Sequence, residues 1–498
     1  MSNLNHWKQR IQEKRKKTPF SEYLKEIGSW YPLVLSKDGN KLSRYPITDR
    51  VWSLSDTHEY EEMREWFIES GLAYDESISF LDNYKKLFLQ IPHPRMLARN
   101  SENCDYVDDV INSKDSYLSF MIITDCSNNL YSLIVKENCH DIVNSINVLN
   151  NCSHVFMSNA VMNSYNIFYS SNIINSSDVW FSSNLMACTE CIFCDNLEWK
   201  RYHIENEEYS KEEYQKRKQE ILKDKNKFTQ YRENVSRKLT NFWSSDVTGN
   251  SILESTDVEN GSYLYRVHGG RNLIMVAGSE WDRNIYDAIF AGSYTADDMY
   301  GVMICGINTS DIYCSYAVVD NCSNVFYSYA LETCSYCIWC IGLKNKSYCI
   351  LNKQYTKDQW EVLANEIFSS MESDNTLWDF FSPELNPFYF NDTFAGLLWN
   401  YDKQEIEKHW YLWREDSIKV DVNESWDIIP TNDLDDFESL ENNTWSMDKE
   451  ILKKVIQDDA WNYYRIVKPE YDFLMKHWLP LPRKHWFDRI KNNFWITK

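Results

Sequence analysis

Residues 152–197 read CSHVFMSNAVMN, SYNIFYSSNIIN, SSDVWFSSNLMA and CTECIFCDNL when they are divided into blocks of twelve. Each block carries an apolar triplet at the same place, and the triplets begin at Val155, Ile167, Val179 and Cys191. Twelve residues are too few for two packed helices, but they suit one coil of a parallel β-solenoid. The triplets favour short strands, and the Ser, Asn and Asp residues between them are typical of corners.

The column of apolar residues continues on both sides of this stretch. Upstream it includes Leu130 and Ile142, and a second array carries it at Ile312, Val325, Cys337 and Cys349, preceded by Leu273, Ile285 and Met299. The two arrays match at an offset of 146, with identical residues at Cys188/Cys334, Cys191/Cys337, Cys194/Cys340, Leu197/Leu343, Tyr202/Tyr348 and Tyr209/Tyr355. We therefore predict a mainly β fold with α flanks, in which tandem parallel β-solenoids are duplicated and joined by a long helix.

The two sides of each strand are predicted to lie in different environments. Because side chains alternate along a strand, Val155 should point into the narrow coil and Phe156 outward. The interior has room for Ser, Cys and Val, which explains their columns. The outward column is equally apolar and needs a cover, which we expect to be the other solenoid or a partner chain. The predicted interaction residues are Phe156, Phe168, Trp180, Tyr313 and Phe326.

Each array is followed by a helical segment that starts with a capping box, Ser210 with Glu213 and Thr356 with Gln359. The first of these helices should continue to about residue 239. The predicted organisation is an N-terminal mixed α/β docking region at 1–100, a first solenoid at 101–209, a bridging helix at 210–245, a second solenoid at 246–355, a capping helix at 356–372 and a Trp-rich C-terminal domain with a degenerate zinc-ribbon-like end at 373–498.

Composition excludes several classes of protein. The hydrophobic fraction of 43% in 498 residues supports a large core, and the net charge of −22 argues against nucleic acid or an acidic membrane as a partner. The sequence has no apolar stretch long enough to span a bilayer, and its charged start does not look like a secretory signal. With fourteen cysteines and no export signal, we expect a cytoplasmic location, or a virion if the chain is phage-encoded.

Two cysteine triplets have the C-x2-C-x2-C spacing of a metal or iron–sulfur site, with Cys152 and Cys322 as the nearest fourth ligands. They are CTECIFC, with Cys188, Cys191 and Cys194, and CSYCIWC, with Cys334, Cys337 and Cys340. The cysteines replace Ser and Val at coil positions, and Cys is among the most buried residue types. We favour packed core thiols and predict no metal or other cofactor.

Single histidines are weaker candidates for a functional site. His203 should lie in the inward column where the second array has Cys349, and His140 and His154 are scattered. A packed or hydrogen-bonded role is favoured over catalysis for all three.

Carboxylates fall at corner positions of the coils, at Asp178, Glu190 and Asp311. Glycosidases built on parallel β-helices use such groups for acid–base chemistry. Here the column that contains Asp178 also contains His154, Asn166 and Tyr202, so a corner-capping role is favoured.

Four segments resemble an uncharacterised family of Candidate Phyla Radiation (Patescibacteria) proteins with two Cys-rich short-repeat arrays and zinc ribbons. They are LQIPHPRMLARNSENCDY (Leu89–Tyr106), GLKNKSYCILNKQYTKDQWE (Gly342–Glu361), SPELNPFYFNDT (Ser382–Thr393) and YRIVKPEYDFLMKHWLPLPRKHW (Tyr464–Trp486). The resemblance implies no activity, since none is established for the family. It does imply lost zinc ligands, because His485 and Asp488 stand where the family has a CPxC-like motif. We expect apolar and aromatic packing to have replaced the metal there.

These observations favour a non-enzymatic structural or interaction scaffold in a larger assembly, for example a virus or phage particle. Its partners would be other proteins or further copies of the chain, without nucleic acid or membrane. The alternative is a polysaccharide-binding or -cleaving parallel β-helix protein. A carbohydrate enzyme needs a solvated groove with convergent carboxylates, whereas a scaffold needs buried aromatic faces.

Overall fold

The structure of the protein is a computed structural model. It describes residues 2–15, 17, 19–33, 36–38, 41–46, 48–51, 53–54, 70–94, 98–258, 261–265, 267–270, 289–291, 302–305, 308–318, 321–377, 379–398, 401–415, 426–434 and 449–493. Leu273, Ile285 and Met299, which the repeat assigns to the apolar column, lie outside these residues.

The described helices are short and lie outside the repeat arrays. In chain order they are α1 (Ser2–Arg15), α2 (Phe20–Gly28), α3 (Phe80–Gln90), α4 (Lys211–Lys223), α5 (Phe228–Glu233), α6 (Lys357–Ser373), α7 (Phe394–Leu398), α8 (Lys403–Lys408), α9 (Lys468–Lys476) and α10 (Trp486–Asn493). Within this part of the chain, no helix combines the length and apolarity needed to cross a bilayer.

Most described strands have four residues, and between residues 153 and 204 they begin every six residues. The strands are β1 (Ser36–Asp38), β2 (Lys41–Ser43), β3 (Ser53–Leu54), β4 (His93–Pro94), β5 (Ala98–Arg99), β6 (Val110–Ile111), β7 (Phe120–Thr124), β8 (Ser127–Leu130), β9 (Leu133–Lys136), β10 (His140–Val143), β11 (Ile146–Leu149), β12 (Ser153–Phe156), β13 (Asn159–Met162), β14 (Tyr165–Phe168), β15 (Ser171–Ile174), β16 (Ser177–Trp180), β17 (Ser183–Met186), β18 (Thr189–Ile192), β19 (Asp195–Glu198), β20 (Arg201–Ile204), β21 (Glu207–Glu208), β22 (Gly249–Leu253), β23 (Thr256–Val258), β24 (Gly261–Tyr265), β25 (His268–Gly270), β26 (Ile289–Ala291), β27 (Val302–Cys305), β28 (Ser310–Tyr313), β29 (Ser315–Val318), β30 (Ser323–Phe326), β31 (Ser335–Ile338), β32 (Ser347–Ile350), β33 (Lys353–Gln354), β34 (Ile428–Pro430), β35 (Val455–Gln457) and β36 (Tyr463–Tyr464).

The chain divides into two compact units, and each contains one array. The first-array unit consists of Leu97–Thr240 and Glu415–Trp495. Its coils form two sheets, ordered β21-β20-β18-β16-β14-β12-β10-β8 and β19-β17-β15-β13-β11-β9-β7-β6-β5. The second-array unit consists of Met1–Met96, Asn241–Arg414 and Ile496–Lys498, and its largest sheet is β28-β30-β31-β32-β33.

The prediction of a parallel β-solenoid with about twelve residues per coil is confirmed. Strand β14 pairs in parallel with β16 so that Ile167 faces Val179, and β16 pairs with β18 so that Val179 faces Cys191. In the second array Val325 faces Cys337, and Cys337 faces Cys349. Each array ends in a short antiparallel strand, β21 or β33, which pairs with the last coil and covers part of its open edge.

Within the twelve-residue repeat, the backbone conformation repeats every three residues. Every third residue from Asn151 to Glu205 has a positive φ, so each coil contains four left-handed residues. These form four corner columns. Corner column 1 is His154, Asn166, Asp178, Glu190 and Tyr202; corner column 2 is Met157, Tyr169, Phe181, Phe193 and Glu205; corner column 3 is Ala160, Asn172, Asn184 and Asn196; corner column 4 is Asn151, Asn163, Asn175, Ala187 and Trp199.

The residue after each corner points inward, and these inward residues form the core. Aliphatic side chains such as Val155, Val161, Ile167 and Ile173 are fully or almost fully buried. Buried serines alternate with them, and the serine hydroxyls form hydrogen bonds with backbone groups. Ser170 Oγ accepts a hydrogen bond from the Ser182 N–H one coil later, at 3.1 Å, and donates to a carbonyl of its own coil at 2.9 Å. A small residue with a lone pair is therefore needed here, which adds a reason beyond size for the Ser and Cys columns.

Two details of the sequence prediction need correction. Leu130 was placed in the inward column, but Asn129 faces Ile142 and Leu130 faces Val143. Coils in this region have thirteen residues, because Asn138 and Asn151 add a second left-handed residue at one corner, and the extra residue shifts the register. The long helix after the first array is also shorter than predicted, since α4 ends at Lys223 and a separate short helix, α5, follows.

Both helices that follow the arrays begin at the predicted caps. The Ser210 hydroxyl accepts from the Glu213 N–H at 3.2 Å. Thr356 and Gln359 form the complete reciprocal capping box. Each helix then packs on the end of its own array, with Tyr214 and Trp360 buried there.

Candidate functional site

The two cysteine triplets lie in the interior of the coils. All six thiols are buried and unpaired by disulfides. Cys188 Sγ donates to two backbone carbonyls at 3.3 Å, and Cys194 Sγ donates to the Ile192 carbonyl at 3.3 Å. Hydrogen bonding with Cys334 and burial both hold the pKa of Cys337 well above its usual range. Neither triplet is among the described groups whose ligand atoms lie within 4.8 Å of one another. Buried thiols that donate to backbone carbonyls fit the interpretation of packed core thiols.

The predicted interaction residues are buried within their own units. Phe168 stacks on Trp180 with ring centroids 4.2 Å apart, and Phe156 packs on Phe473 of α9 at 5.9 Å. Trp180 meets Phe228 of α5 at 6.1 Å. The prediction that the other solenoid or a partner chain covers these rings is therefore wrong, because segments of the same unit cover them.

The same correction applies to the second array. Tyr313 and Phe326 stack at 4.9 Å, and Phe326 packs on Phe368 of α6 at 5.2 Å. Both side chains have no exposed surface. They stabilise the unit and are not available to a partner.

His203 lies where the sequence predicts. It faces Cys191 in the inward column, and its Nδ1 donates to the Arg201 carbonyl at 2.7 Å. Its side chain is buried. The packed, hydrogen-bonded interpretation fits this geometry.

The corner carboxylates are engaged in local contacts. Asp178 accepts a hydrogen bond from Asn166 Nδ2 at 3.0 Å. Glu190 accepts from Gln215 and Lys218 of α4 at 3.1 and 2.8 Å, so it fastens that helix to the coil. In the second-array unit, Asp311 pairs with Lys8 of α1 at 2.9 Å. Asp178 thus bonds to the neighbouring corner, as expected of a corner cap, whereas Glu190 and Asp311 tether helices to the coils.

Polar side chains of corner column 1 form a ladder along the outside of the first array. The ladder extends upstream, because Asn128 and Asp141 also have positive φ and Asn128 Nδ2 donates to Asp141 Oδ1 at 3.0 Å. Downstream, His154 Nδ1 contacts Asn166 Oδ1 at 3.1 Å. Neighbouring rungs are one coil apart, so the solenoid brings together residues that are twelve or thirteen positions apart in sequence.

Three potential metal ligands converge on this ladder. His140, Asp141 and His154 each place a ligand atom within 4.8 Å of the other two, and they are the single such group found in the described part of the chain. Asp141 Oδ2 lies 3.5 Å from His140 Nδ1 and 3.2 Å from His154 Nε2. We call this group the His-Asp-His cluster.

Two residues at the end of α9 line the cluster. Lys476 Nζ lies 3.1 Å from His154 Nε2 and 3.7 Å from Asp141 Oδ2. The His477 ring lies 4.8 Å from that of His154, and burial and the nearby positive charge lower the pKa of His477 to about 4. The hydrogen bond with His154 holds the pKa of the Asp141 carboxyl well below its usual range. The cluster therefore presents an ionised carboxylate at neutral pH.

Sequence reasoning missed this cluster because it weighed each histidine singly. His140 and Asp141 are adjacent, and His154 follows Asp141 by thirteen residues, the length of a coil with the extra corner residue. A search of the ladder at a spacing of thirteen would have found the pair.

A polar network holds the C-terminal segment around His485 and Asp488. Asp458 Oδ1 accepts from the backbone N–H of Ala460 and Asn462 at 3.0 and 2.9 Å, and Asp458 Oδ2 accepts from the His485 N–H at 3.0 Å. Asn462 Nδ2 donates to Asp488 Oδ2 at 3.2 Å. Hydrogen bonds to the buried Asp458 carboxylate thus hold this part of the chain together.

Comparisons of the chain with protein-family models, with curated proteins and with solved structures gave no match.

Proposed function

We propose that the protein is a non-enzymatic scaffold that docks partner proteins in a larger assembly, of which a virus or phage particle is one example. The observation that carries the proposal is the high exposure and left-handed backbone of two tryptophans in the first-array unit. Trp199 and Trp461 each expose 75% of their surface, and they have φ angles of 57° and 64°.

A left-handed backbone makes these tryptophans costly. A residue with a Cβ pays about 1–2 kcal/mol in that region, whereas Asn and Gly adopt it readily. At the same corner column as Trp199, the sequence has Asn at 163 and 175. Exposed Trp therefore gains nothing for folding at these positions. Trp is strongly enriched among the residues that dominate protein interfaces, so contact with a partner supplies a reason for its presence.

Other exposed tryptophans share both properties. Trp478 in the first-array unit, and Trp243 and Trp410 in the second-array unit, are 44–65% exposed and have positive φ. Exposed rings also suit stacking on sugars, as the polysaccharide-binding alternative requires. The cleaving form of that alternative has less support, because Asp178 and Glu190 are held by Asn166 and by helix α4.

We further propose that the arrays arose by duplication at an offset of 146. Element bounds support this proposal. The strand pairs β16/β30, β18/β31, β20/β32 and β21/β33, together with the start of helices α4 and α6, are all separated by 146 residues. A scaffold with two equivalent arrays offers repeated surfaces, which suits an assembly component.

The test replaces Trp199 and Trp461 by Asn, singly and together, in the full chain. We expect unchanged or slightly higher stability, because Asn relieves the backbone cost, and loss of stoichiometric co-purifying proteins or of self-assembly. The measurements are mass spectrometry of the native complex and light scattering. Tyr165→Asn is the matched control, since this ring is 50% exposed and has no positive φ.

Unchanged assembly of both Trp variants would refute the docking role. Loss of binding to a panel of polysaccharides, with protein assembly intact, would favour the carbohydrate-binding alternative instead.

A further inference from the structure

The His-Asp-His cluster has a property that the scaffold role does not use: its polar atoms are arranged to receive a cation. Asp141 Oδ2 and His154 Nε2 lie 3.2 Å apart, and Lys476 Nζ is within 3.7 Å of both. The Asp141 carboxylate stabilises a positive charge beside it, and in this structure the Lys476 ammonium supplies one.

Neighbouring rungs of the ladder fix the orientation of the ligands. Asn166 Nδ2 donates to Asp178, so its Oδ1 faces His154 and accepts a hydrogen bond from Nδ1. Nε2 of His154 is then directed toward Asp141. Histidines that bind metals are usually held in this way by a hydrogen bond at their other nitrogen. Asn128 plays the same part for Asp141, because it occupies Oδ1 and leaves Oδ2 for the cluster.

The distances fit a transition metal. Ligand atoms at about 2.0–2.1 Å from a tetrahedral zinc ion lie about 3.3–3.4 Å from one another. The two distances from Asp141 Oδ2, 3.5 Å to His140 Nδ1 and 3.2 Å to His154 Nε2, bracket that separation. Two imidazoles and one carboxylate are also a donor set that Zn²⁺ and related ions favour over Mg²⁺ or Ca²⁺.

Access to the cluster is open. The side chain of His140 is 49% exposed and that of Lys476 is 57% exposed, so the ammonium can move into water without unfolding α9. A divalent ion would gain the same two contacts that the ammonium makes, together with His140.

We propose that His140, Asp141 and His154 form a binding site for a divalent first-row transition-metal ion, which takes the place of the Lys476 ammonium. The site is independent of the proposed docking tryptophans and of the core cysteines. Lys476 acts as a built-in competitor that keeps the site charge-balanced without metal.

The test uses the full chain after chelator treatment, with Co²⁺ as the spectroscopic probe and Zn²⁺ as its competitor. We expect one equivalent of Co²⁺ to bind without thiolate charge-transfer absorption, since no sulfur lies in the site. His154→Gln should weaken binding at least about 10-fold, because an imidazole ligand is lost while a side chain that can hydrogen-bond to Asn166 remains. Lys476→Met should tighten binding, since the competing charge is removed.

Two controls separate this site from others. His409→Gln removes an exposed imidazole from the second-array unit and should leave affinity unchanged. Mg²⁺ should not displace Co²⁺. Circular dichroism checks that each variant is folded. The proposal is overturned if His154→Gln binds Co²⁺ as tightly as the wild type, if thiolate absorption accompanies binding, or if Lys476→Met binds no better.

Discussion

Val179→Asp tests the inward column directly. Val179 lies in the middle of the first array, faces Ile167 and Cys191, and has no exposed surface. Replacing it loses the burial of an aliphatic side chain, about 2 kcal/mol. The new carboxyl must also stay neutral at pH 7, which costs about 4 kcal/mol if its pKa rises from about 3.9 to about 7. A total of about 6 kcal/mol is enough to unfold the array.

The matched control is Asn175→Asp, which changes a corner residue four positions before Val179. Asn175 is exposed and left-handed, and Asp tolerates this backbone almost as well as Asn. The expected loss is under about 0.5 kcal/mol. Asn184, another corner residue of this array, is not a suitable control. Asn184 is fully buried, and its Nδ2 donates to Asp195 and to the Lys238 carbonyl, so an Asp there would meet another carboxylate.

Urea unfolding followed by circular dichroism at pH 7 measures both variants. The reasoning fails if Asp at 179 is tolerated, or if Asp at 175 costs as much as Asp at 179, since either result contradicts the inward and corner positions of the coil.

Three further predictions concern the same unit. Ser170→Ala should cost about 1–3 kcal/mol in urea unfolding because it leaves the buried Ser182 N–H without its acceptor, whereas Ser170→Cys should cost less; equal losses would contradict the hydroxyl's role. Arg489→Met should cost about 3–5 kcal/mol because it leaves the buried Glu470 carboxylate without the guanidinium that lies 2.6 Å from it. Adding Glu470→Leu should recover most of that loss, and no recovery would contradict a stabilising ion pair between the two side chains. Burial lowers the pKa of His485 to about 4, so on acidification the unfolded chain binds this proton first, and His485 should contribute a loss of stability of about 1 kcal/mol per pH unit as the pH falls from about 6.5 to 4. His477 of the same unit contributes in the same way, so His485→Phe should reduce the total slope by about 1 kcal/mol per pH unit, and an unchanged slope would contradict the assignment.

The sequence predicts the coil well because the core repeats. The aliphatic side chains at 155, 167 and 179 stack on one another, so each must be similar, and a column of similar residues is visible in one sequence. The cap residues Ser210 and Thr356 were equally visible, since a capping hydroxyl acts over three residues.

The sequence does not show what covers the coils. Phe473 reaches Phe156 from more than three hundred residues away, and nothing local to either residue marks the pair. For the same reason Phe156 looked like a partner-binding residue. The three-residue repeat of the backbone is not visible in the sequence, because bulky residues such as Phe181 and Phe193 occupy left-handed corners where Asn would be expected. Their contacts with Tyr231 of α5, at 5.2 and 4.8 Å, offset the backbone cost.

The four corner columns explain how one repeat can carry several roles. Inward positions are constrained by stacking, but a corner side chain points away from the core and can change from coil to coil without disturbing it. Corner column 2 receives helix α5, and corner column 3 holds the chain at 238–240 through Asn172 and Asn184. Corner column 1 carries the ladder and the His-Asp-His cluster, while corner column 4 is exposed at Asn163, Asn175 and Trp199. Columns 2 and 3 are thus used for folding, and columns 1 and 4 offer positions for ligands or partners, except at Glu190, which fastens helix α4. Substitutions at His154 or Trp199 should therefore alter binding with little change in stability, whereas those at Phe181 or Asn184 should do the reverse.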